Sequence, residues 1–454
     1  MSNEEPACEP TPEVTMARIA ELTERFRMNA KSRLAQNAVT QSPADDVALN
    51  REIVTEADFS FSTTLDDWPV TNQKKSGRCW MFAALNLLRA NTLKKLGLKS
   101  FEFSQNYTLF WDKFERANFF LEEIITTAER PIDDRLIHFM LAEPLSDGGQ
   151  WNMAVNIIRK HGLVPKTAMP ETESSSNTRR MNTNLKHLLR QGAFALRTSR
   201  AQGAGLDEVR AQKHTVLADV WRVLCIHLGT PPAQFDWQWT TTNGEFRRDG
   251  LVTPREFFAR YVDLDIDNYV CLVHDPRDGH PFGRTYTVDF LGNTVGGDPV
   301  VYLNVDMKVM KQLALSQIEA GSPVWFGCDV GPHMRRDLGL WDAQLFDYEN
   351  LYDVSFHLTK AQRLMYGQTQ MTHAMLFTGV DTVEGVPRRW KVENSWGESG
   401  GQKGFYLMND NWFDHYVFEI AVPRTALTDD LARALEVPPT VLPAWDPMGA
   451  LARS

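Results

Sequence analysis

The sequence predicts an α+β protein with a helical lobe, an antiparallel, barrel-like lobe and large, mainly helical insertions. Apolar residues recur at helical spacing in 104–130 and 181–228. After residue 300 the apolar runs become short and strand-like, and glycine-rich turns separate them. The chain of 454 residues is also longer than a typical single domain, which leaves room for insertions.

The segment 70–84 joins a polar, turn-prone stretch to an apolar, helix-forming one. The change falls at Cys79, and a stop signal follows at Gly97. We therefore expect Cys79 at the N-terminus of a buried helix, where unpaired N–H groups and the helix dipole favour an anion. A thiol in that position is shifted toward the thiolate, which is the nucleophilic form. The amide of Gln73, six residues earlier, is placed to direct an N–H at a developing oxyanion.

A lone cysteine is more often a small core residue than a nucleophile. Two distant segments support the nucleophile interpretation of Cys79. His373 begins an apolar, strand-like run, and Asn394 follows a second one. The order Cys, His, Asn is that of papain-like cysteine proteases.

The residues around these positions resemble the bleomycin hydrolase / aminopeptidase C family, a cytoplasmic branch of the papain-like peptidases. The catalytic motifs of this resemblance are Gln73…Gly77-Arg78-Cys79-Trp80, Thr372-His373-Ala374-Met375 and Glu393-Asn394-Ser395-Trp396-Gly397. Further segments of the same kind lie at 147–151, 164–166, 404–408 and 443–452. The resemblance therefore covers nearly the whole chain.

The resemblance implies a papain-like two-lobed fold and a role for each motif residue. Cys79 would be the nucleophile, and His373 would be its base and later the acid toward the leaving amine. Asn394 would orient the imidazole, and Trp396 would shield that hydrogen bond. Gln73 and the backbone N–H of Cys79 would form the oxyanion hole. Taken alone, a histidine on a strand is more often a core or surface residue, so these roles rest on the family pattern.

Two further features implied by the resemblance concern substrate binding. Paired glycines allow close backbone approach, and in papain-like enzymes such a pair contacts the substrate main chain, which implies Gly148 and Gly149 here. The apolar, proline-broken C-terminal stretch would dock in the cleft, with Ala452 near the free amino group of the substrate. The sequence departs from the family because Arg453 and Ser454 follow Ala452. If both residues are retained, the carboxylate moves and the aminopeptidase preference weakens.

His373 lies 294 positions after Cys79 in the sequence, whereas simple papain-like enzymes need only about 130–150. We place most of the extra residues in one insertion, which in the resembled family builds an oligomer. The expected regions are an N-terminal extension with an amphipathic helix (1–60), a papain-like helical lobe carrying the nucleophile (61–170), a mainly helical insertion for oligomerisation (171–295), a β lobe carrying the histidine and asparagine (296–436) and a C-terminal tail that docks in the cleft (437–454).

Composition limits the class of protein. The formal net charge of −10 argues against a general nucleic-acid binder, although a local basic channel would be compatible with it. The N-terminus has no apolar signal-peptide core, and no stretch reaches the roughly 20 apolar residues of a membrane span. The cysteines are odd in number and lack zinc-site spacing, so we expect thiols in a reducing compartment. They are Cys8, Cys79, Cys225, Cys271 and Cys328.

Together these observations predict a cytoplasmic cysteine aminopeptidase that acts on peptides, and on bleomycin-like amides, through a thioester. No cofactor, metal or membrane contact is expected, and the resemblance implies a homohexamer. One alternative is a papain-like endopeptidase or acyltransferase, which activity on N-blocked peptides or transfer to amines would select. Another is a nucleic-acid-binding homologue with a secondary peptidase activity. Salt-dependent binding that survives Cys79→Ser would select that alternative.

Overall fold

The computed structural model describes residues 12–65 and 68–453. Its helices are α1 (Met16–Met28), α2 (Ala30–Val39), α3 (Ala44–Ala48), α4 (Arg51–Glu56), α5 (Cys79–Leu96), α6 (Gln105–Thr126), α7 (Arg135–Ala142), α8 (Trp151–His161), α9 (Glu173–Ser176), α10 (Arg179–Ala201), α11 (Leu206–Leu228), α12 (Pro254–Tyr261), α13 (Met307–Glu319), α14 (Tyr348–Tyr352), α15 (Lys360–Met365), α16 (Asp410–Tyr416) and α17 (Asp429–Ala434). Short 3₁₀ turns occupy Ile266–Asn268, Arg424–Ala426 and Pro447–Arg453. Cys8, Ser454 and the side chain of Arg453 lie outside the description.

The strands are β1 (Thr63–Thr64), β2 (Phe235–Thr240), β3 (Phe246–Val252), β4 (Tyr269–Val273), β5 (Arg284–Val288), β6 (Tyr302–Asn304), β7 (Val324–Cys328), β8 (Met334–Arg335), β9 (Leu340–Trp341), β10 (His373–Val383), β11 (Val386–Glu393), β12 (Phe405–Asn409), β13 (Val417–Pro423) and β14 (Thr440–Leu442). Strands β2 and β3 form a separate hairpin, and the other twelve form one sheet. The predicted mixture of helices and strands is confirmed.

The β lobe was expected to be antiparallel, but the large sheet is mixed. Its order is β14-β5-β6-β4-β13-β7-β10-β11-β12-β9-β8, with β1 beside β10. The pairs β4–β6, β5–β14 and β9–β12 are parallel, and the others are antiparallel. In the central strands, Gly327 of β7 pairs with Glu419 of β13 on one side and with Ala374 of β10 on the other.

The chain divides into two compact units. The smaller contains α1 to α4 together with Gln344–His357, and the larger contains 57–343 and the chain from residue 358 onward. The β lobe expected at 296–436 includes 344–357, which here belongs to the smaller unit. Within the smaller unit, the backbone N–H groups of Asn50 and Asp347 donate to Leu345 and Ala48, respectively, which ties this segment to the N-terminal helices.

The amphipathic helix predicted in the N-terminal extension is replaced by two helices, α1 and α2. They are separated at Asn29, whose side-chain Oδ1 accepts the backbone N–H of Ser32 at 3.0 Å and so caps α2. Asparagine competes with helical hydrogen bonding in this way and favours helix starts.

The region 171–295, predicted as a mainly helical insertion, contains the helices α9 to α12 and the strands β2 to β5. The helices α10 and α11 pack against each other and against α6, but β4 and β5 belong to the large sheet. Strand β4 pairs with β13, and β5 pairs with β14 as well as with the next strand, β6. Strands β13 and β14 are distant from them in sequence. Local sequence pattern alone does not reveal such pairings.

Two apolar clusters lie on the two faces of the large sheet. Ala374 and Leu376 belong to one cluster, and Met375 and Phe377 belong to the other, as the alternation of side chains along a strand requires. The first cluster contains α5 and α8. Fifteen of the eighteen residues of α5 are buried, and this helix ends at Gly97 in the left-handed conformation, as predicted.

Candidate active site

Cys79 is the first residue of α5 and is buried. Its thiol accepts hydrogen bonds from the backbone N–H groups of Trp80 and Ala374. Ala374 is the second residue of β10, so the thiol lies between the start of the helix and the start of the strand. Arg78, just before the helix, is fixed by two hydrogen bonds to Glu171 at 2.7 and 3.0 Å. The predicted position of Cys79 is confirmed.

His373 begins β10, and Asn394 directly follows β11. The imidazole Nε2 lies 3.0 Å from Oδ1 of Asn394. The backbone N–H of Ser395 donates to the same Oδ1 at 2.7 Å, which orients the amide. The indole of Trp396 lies 4.9 Å from the imidazole, centroid to centroid. A neutral ring that donates from Nε2 has Nδ1 free of its proton.

Burial opposes charge on both reactive groups. It raises the pKa of the Cys79 thiol to about 11, although three backbone N–H donors act in the other direction. It lowers the pKa of His373 to about 4, against the effect of Asn394. Each group alone is therefore neutral at pH 7, which is opposite to the direction we predicted from the helix N-terminus. The cause is desolvation, because both side chains are almost fully buried.

Gln73 is buried beside this site and is held at both ends of its amide. Its Nε2 donates to the carbonyl of Ser76 at 2.6 Å, and its Oε1 accepts from the hydroxyl of Ser395 at 2.6 Å. One N–H of the amide is thus engaged within the loop, and only the second N–H can meet an oxyanion.

The glycine pair lies next to the nucleophile helix. The indole N–H of Trp80 donates to the carbonyl of Asp147 at 2.7 Å. A Cβ on Gly149 would lie only 2.4 Å from Cε2 of Trp80. The carbonyl of Gly148 accepts from Arg116 at 2.7 Å. Close packing therefore requires glycine at position 149, whatever its contact with substrate.

The C-terminal tail is buried in the cluster that contains Cys79. The carbonyl of Ala452 accepts a hydrogen bond from the Ser146 hydroxyl at 2.5 Å. The carbonyl of Met448 accepts from the Tyr302 hydroxyl at 3.1 Å. Leu451 is 0% exposed. The tail thus ends against the segment that also carries the glycine pair.

A model of the Peptidase C1-like family matches residues 13–449. The chain belongs to this family. Bleomycin hydrolase of Homo sapiens is 42% identical over 96% of this chain and 98% of its own length. Aminopeptidase C of Lactobacillus delbrueckii subsp. lactis is 40% identical over 97% of this chain and 99% of its own length. The crystal structure of PepW from Lactobacillus rhamnosis HN001 has a TM-score of 0.95 at 41% identity and covers 96% of this chain and 99% of that one.

This Peptidase C1-like chain also contains two buried acids near the site that the sequence analysis did not single out. Asp147 lies 2.6 Å from the ammonium of Lys113 and accepts from Asn182 at 2.7 Å and from the N–H of Gly77 at 3.1 Å. It therefore anchors the loop before Cys79. The sequence feature that could have identified Asp147 is its position directly before Gly148 and Gly149.

Glu393 is the second acid, and it precedes Asn394 directly. Its carboxylate accepts from Arg89 at 2.7 Å, from Trp68 at 2.6 Å and from Asn86 at 2.9 Å. Arg89 and Asn86 are on α5, so Glu393 joins the nucleophile helix to the strand that ends at Asn394. The sequence feature that could have identified Glu393 is a charged residue at the end of an apolar strand.

The described residues, 12–65 and 68–453, have neither a metal-binding cluster nor a membrane-spanning helix. No group of three or more His, Cys, Asp and Glu side chains there is arranged to hold a metal ion. No helix in the same ranges is long and apolar enough to cross a membrane.

Proposed function

We propose that this chain is a cysteine aminopeptidase that removes N-terminal residues from peptides and from bleomycin-like amides. The observation that carries the proposal is the 3.0 Å contact between Nε2 of His373 and Oδ1 of Asn394, beside the thiol of Cys79 at the head of α5. The names of the relatives, aminopeptidase C and bleomycin hydrolase, support this reaction class.

Catalysis begins when the Cys79 thiol transfers its proton to Nδ1 of His373. The thiolate attacks the scissile carbonyl carbon, and the negative charge moves to the carbonyl oxygen. The backbone N–H of Cys79 and the second N–H of Gln73 stabilise that oxyanion. Collapse of the intermediate breaks the C–N bond, and the imidazolium gives its proton to the leaving amine. Water, deprotonated by His373, then hydrolyses the thioester and regenerates the thiol.

Asn394 and Trp396 serve this sequence by positioning. The hydrogen bond from Nε2 holds the imidazole so that Nδ1 is the nitrogen that exchanges the proton with Cys79. The indole of Trp396 packs against the imidazole and limits access of water to that bond. The main chain at Gly148 and Gly149 provides the hydrogen-bonding groups for the substrate backbone. The position of this glycine pair beside Trp80, the residue after Cys79, supports this role.

The tail carries the preference for a free amino terminus. The burial of Ala452, whose carbonyl accepts from Ser146, places an obstacle where residues preceding the scissile bond would otherwise extend. A chain that ends at Ala452 would place a carboxylate there, and that carboxylate would attract the substrate ammonium. Retention of Arg453 and Ser454 moves the carboxylate away and weakens that attraction.

Hydrolysis of a matched pair of fluorogenic alanyl amides, one with a free amine and one N-acetylated, tests the proposal. We expect cleavage of the free amine only, and complete loss in Cys79→Ala. Cleavage of both compounds would indicate an endopeptidase. Cleavage of neither, by the full chain and by a chain ending at Ala452, would reject the catalytic assignment.

Assembly into a hexamer and a cytoplasmic location are further parts of the proposal. Large apolar side chains are exposed on the α10–α11 hairpin, with Phe194 73% and Ile226 75% exposed. Such exposure suits an interface between copies of the chain. Sedimentation equilibrium of the wild type and of Phe194→Glu tests the assembly, and an unchanged mass in the variant would remove this hairpin from the interface.

A further inference from the structure

A buried acid on β13 lacks the partner that a carboxyl normally has. Glu419 is 0% exposed, and no N–H or O–H group of the described residues donates to either side-chain oxygen; the group that its carboxyl faces is the weakly donating thiol of Cys271. Burial raises the pKa of this carboxyl to about 8. A buried polar group without a partner costs free energy of folding, so its presence in an otherwise apolar strand calls for a reason.

The stem of Glu419 lies beside the buried C-terminal tail. A Cβ placed on Gly327 would lie 3.5 Å from Cβ of Glu419, 3.5 Å from Cδ2 of Leu451 and 3.1 Å from Sδ of Met371. The side chains of Leu451 and Met371 therefore pack with the Glu419 stem over Gly327, where the lack of a side chain allows their close approach. An apolar wall beside an acid suits a ligand with an apolar stem and a cationic end.

The thiol of Cys271 is the titratable group that faces Glu419. A thiol is a weak donor, and this one directs its hydrogen bond at Oδ1 of Asn152, at 3.2 Å. Burial and the nearby Glu419 raise the pKa of Cys271 well above its usual range. It stays neutral and provides no positive charge for the carboxyl.

Glu419 lies on the nucleophile side of the sheet. It pairs with Gly327, and Gly327 pairs with Ala374, whose N–H donates to the Cys79 thiol. Two strand spacings, or roughly 10 Å, separate the backbones of Glu419 and Ala374. The four-carbon stem of a lysine, or the longer arginine side chain, spans most of that distance from a residue whose carbonyl is at Cys79.

The two other buried acids described near the nucleophile are already paired with cations, and Glu393 pairs with Arg89 at 2.7 Å. Asp147 pairs with Lys113 at 2.6 Å. The carbonyl of Ala452 belongs to a peptide bond because Arg453 follows it, and it accepts from Ser146. Glu419 is thus an acid in this region whose charge is available to a ligand.

We propose that Glu419 binds the cationic end of a lysine or arginine at the N-terminus of the peptide substrate, and that the stem of this residue takes the place of the Leu451 side chain. The arriving cation favours ionisation of the carboxyl, so the charge appears only when its partner is present. This inference rests on the proposed aminopeptidase function and adds a preference for basic N-terminal residues.

The test compares fluorogenic lysyl and norleucyl amides, which have the same four-carbon stem with and without the ammonium group. We expect kcat/KM of the wild type to favour lysine by at least tenfold, and Glu419→Gln to reduce that ratio at least tenfold, mainly through KM. Glu122→Gln is the matched control. That acid is paired with Arg210 and Lys213 of α11, and its loss should leave the ratio unchanged.

The outcomes separate the two proposals. A wild type that prefers norleucine, or a Glu419→Gln variant with the wild-type ratio, would overturn the inference while the peptidase function stands. Residual activity in Cys79→Ala would reject the function itself. If Glu419→Gln does not fold, Glu419→Asp decides the matter, because its carboxyl is one methylene shorter. We expect it to lose lysine preference and to retain more activity on the longer homoarginyl amide, and an unchanged lysine ratio contradicts the inference.

Discussion

The guanidinium of Arg89 lies 2.7 Å from the carboxylate of Glu393, and both side chains are buried. Arg89 belongs to the helix that begins with Cys79, and Glu393 immediately precedes Asn394. The ion pair therefore connects the element that carries the nucleophile with the element that orients the imidazole. Trp68 and Asn86 also donate to the carboxylate, so both of its oxygens accept hydrogen bonds.

Removing one member of this pair should destabilise the protein strongly. We expect Glu393→Gln to lower the free energy of unfolding by about 3–5 kcal/mol, because it leaves the charge of Arg89 buried and unpaired. Chemical denaturation measures this difference. Asp219→Asn is the control, since its pair with Arg222 is 2.8 Å long but largely exposed, and we expect a loss below about 1 kcal/mol there. Equal losses in the two variants would show that burial does not increase the contribution of the Arg89–Glu393 pair to the free energy of unfolding.

Alkylation of Cys79 should be nearly independent of pH between about 5 and 8. With pKa values of about 11 for Cys79 and about 4 for His373, the pair holds one proton throughout this range. Its division between sulfur and nitrogen then does not change with pH. Below about pH 4 a second proton binds, and the rate should fall. Iodoacetamide labelling of the Cys79 peptide, followed by mass spectrometry, measures the rate.

His373→Ala is the matched variant for that experiment. The isolated buried thiol should then react faster with each unit of rising pH, because only its thiolate is nucleophilic. A tenfold rise per pH unit in the wild type, between pH 5 and 8, would contradict proton sharing between Cys79 and His373.

Gly149→Ala should disturb the nucleophile helix through Trp80. The new Cβ would meet a fully buried indole at 2.4 Å, and such overpacking costs about 1–3 kcal/mol. We expect a lower melting temperature together with reduced kcat. Gly331→Ala offers the comparison, because nothing lies within 4 Å of its Cβ position. A Gly149→Ala protein as stable and active as Gly331→Ala would contradict the packing role.

The contribution of Asp147 to stability should depend on pH. Burial alone would raise the pKa of this carboxyl, but Lys113 and three further hydrogen-bond donors lower it below its usual range. A folded-state pKa below that of the unfolded chain means that the stabilisation is complete above about pH 4 and is lost as the pH falls further. We expect Asp147→Asn to cost about 3–5 kcal/mol at pH 7 and less at pH 3, where protonation of the unfolded chain has begun to remove the stabilisation. Denaturation at both pH values tests this, and a constant difference would count against the ion pair.

Local sequence signals predicted the elements that carry the site, but not the sheet around them. The polar-to-apolar change at Cys79 and the glycine at 97 define α5, and the apolar run after residue 372 defines the start of β10. These signals lie within a few residues of the element they describe. The positions of β4 and β5 depend on strands that follow later in the chain, so no local pattern could assign them to the sheet.

The electrostatics of the site were also beyond the reach of sequence reasoning. A helix N-terminus predicts an easily ionised thiol, but the pKa is dominated by burial beneath residues that are remote in sequence. The same holds for Glu419. One acid in the run Val417-Phe418-Glu419-Ile420-Ala421 was visible, whereas its neighbours Gly327 and Leu451 were not.

The burial of α5 on nearly all sides has a consequence for how the molecule opens over time. The backbone amides of this helix have neither a solvent face nor a fraying edge along most of their length. Their exchange with deuterium therefore requires cooperative opening of the surrounding core. Slow isotope uptake in 79–96, beside faster uptake in the exposed α1 and α2, would place the nucleophile in the slowest-exchanging part of the chain.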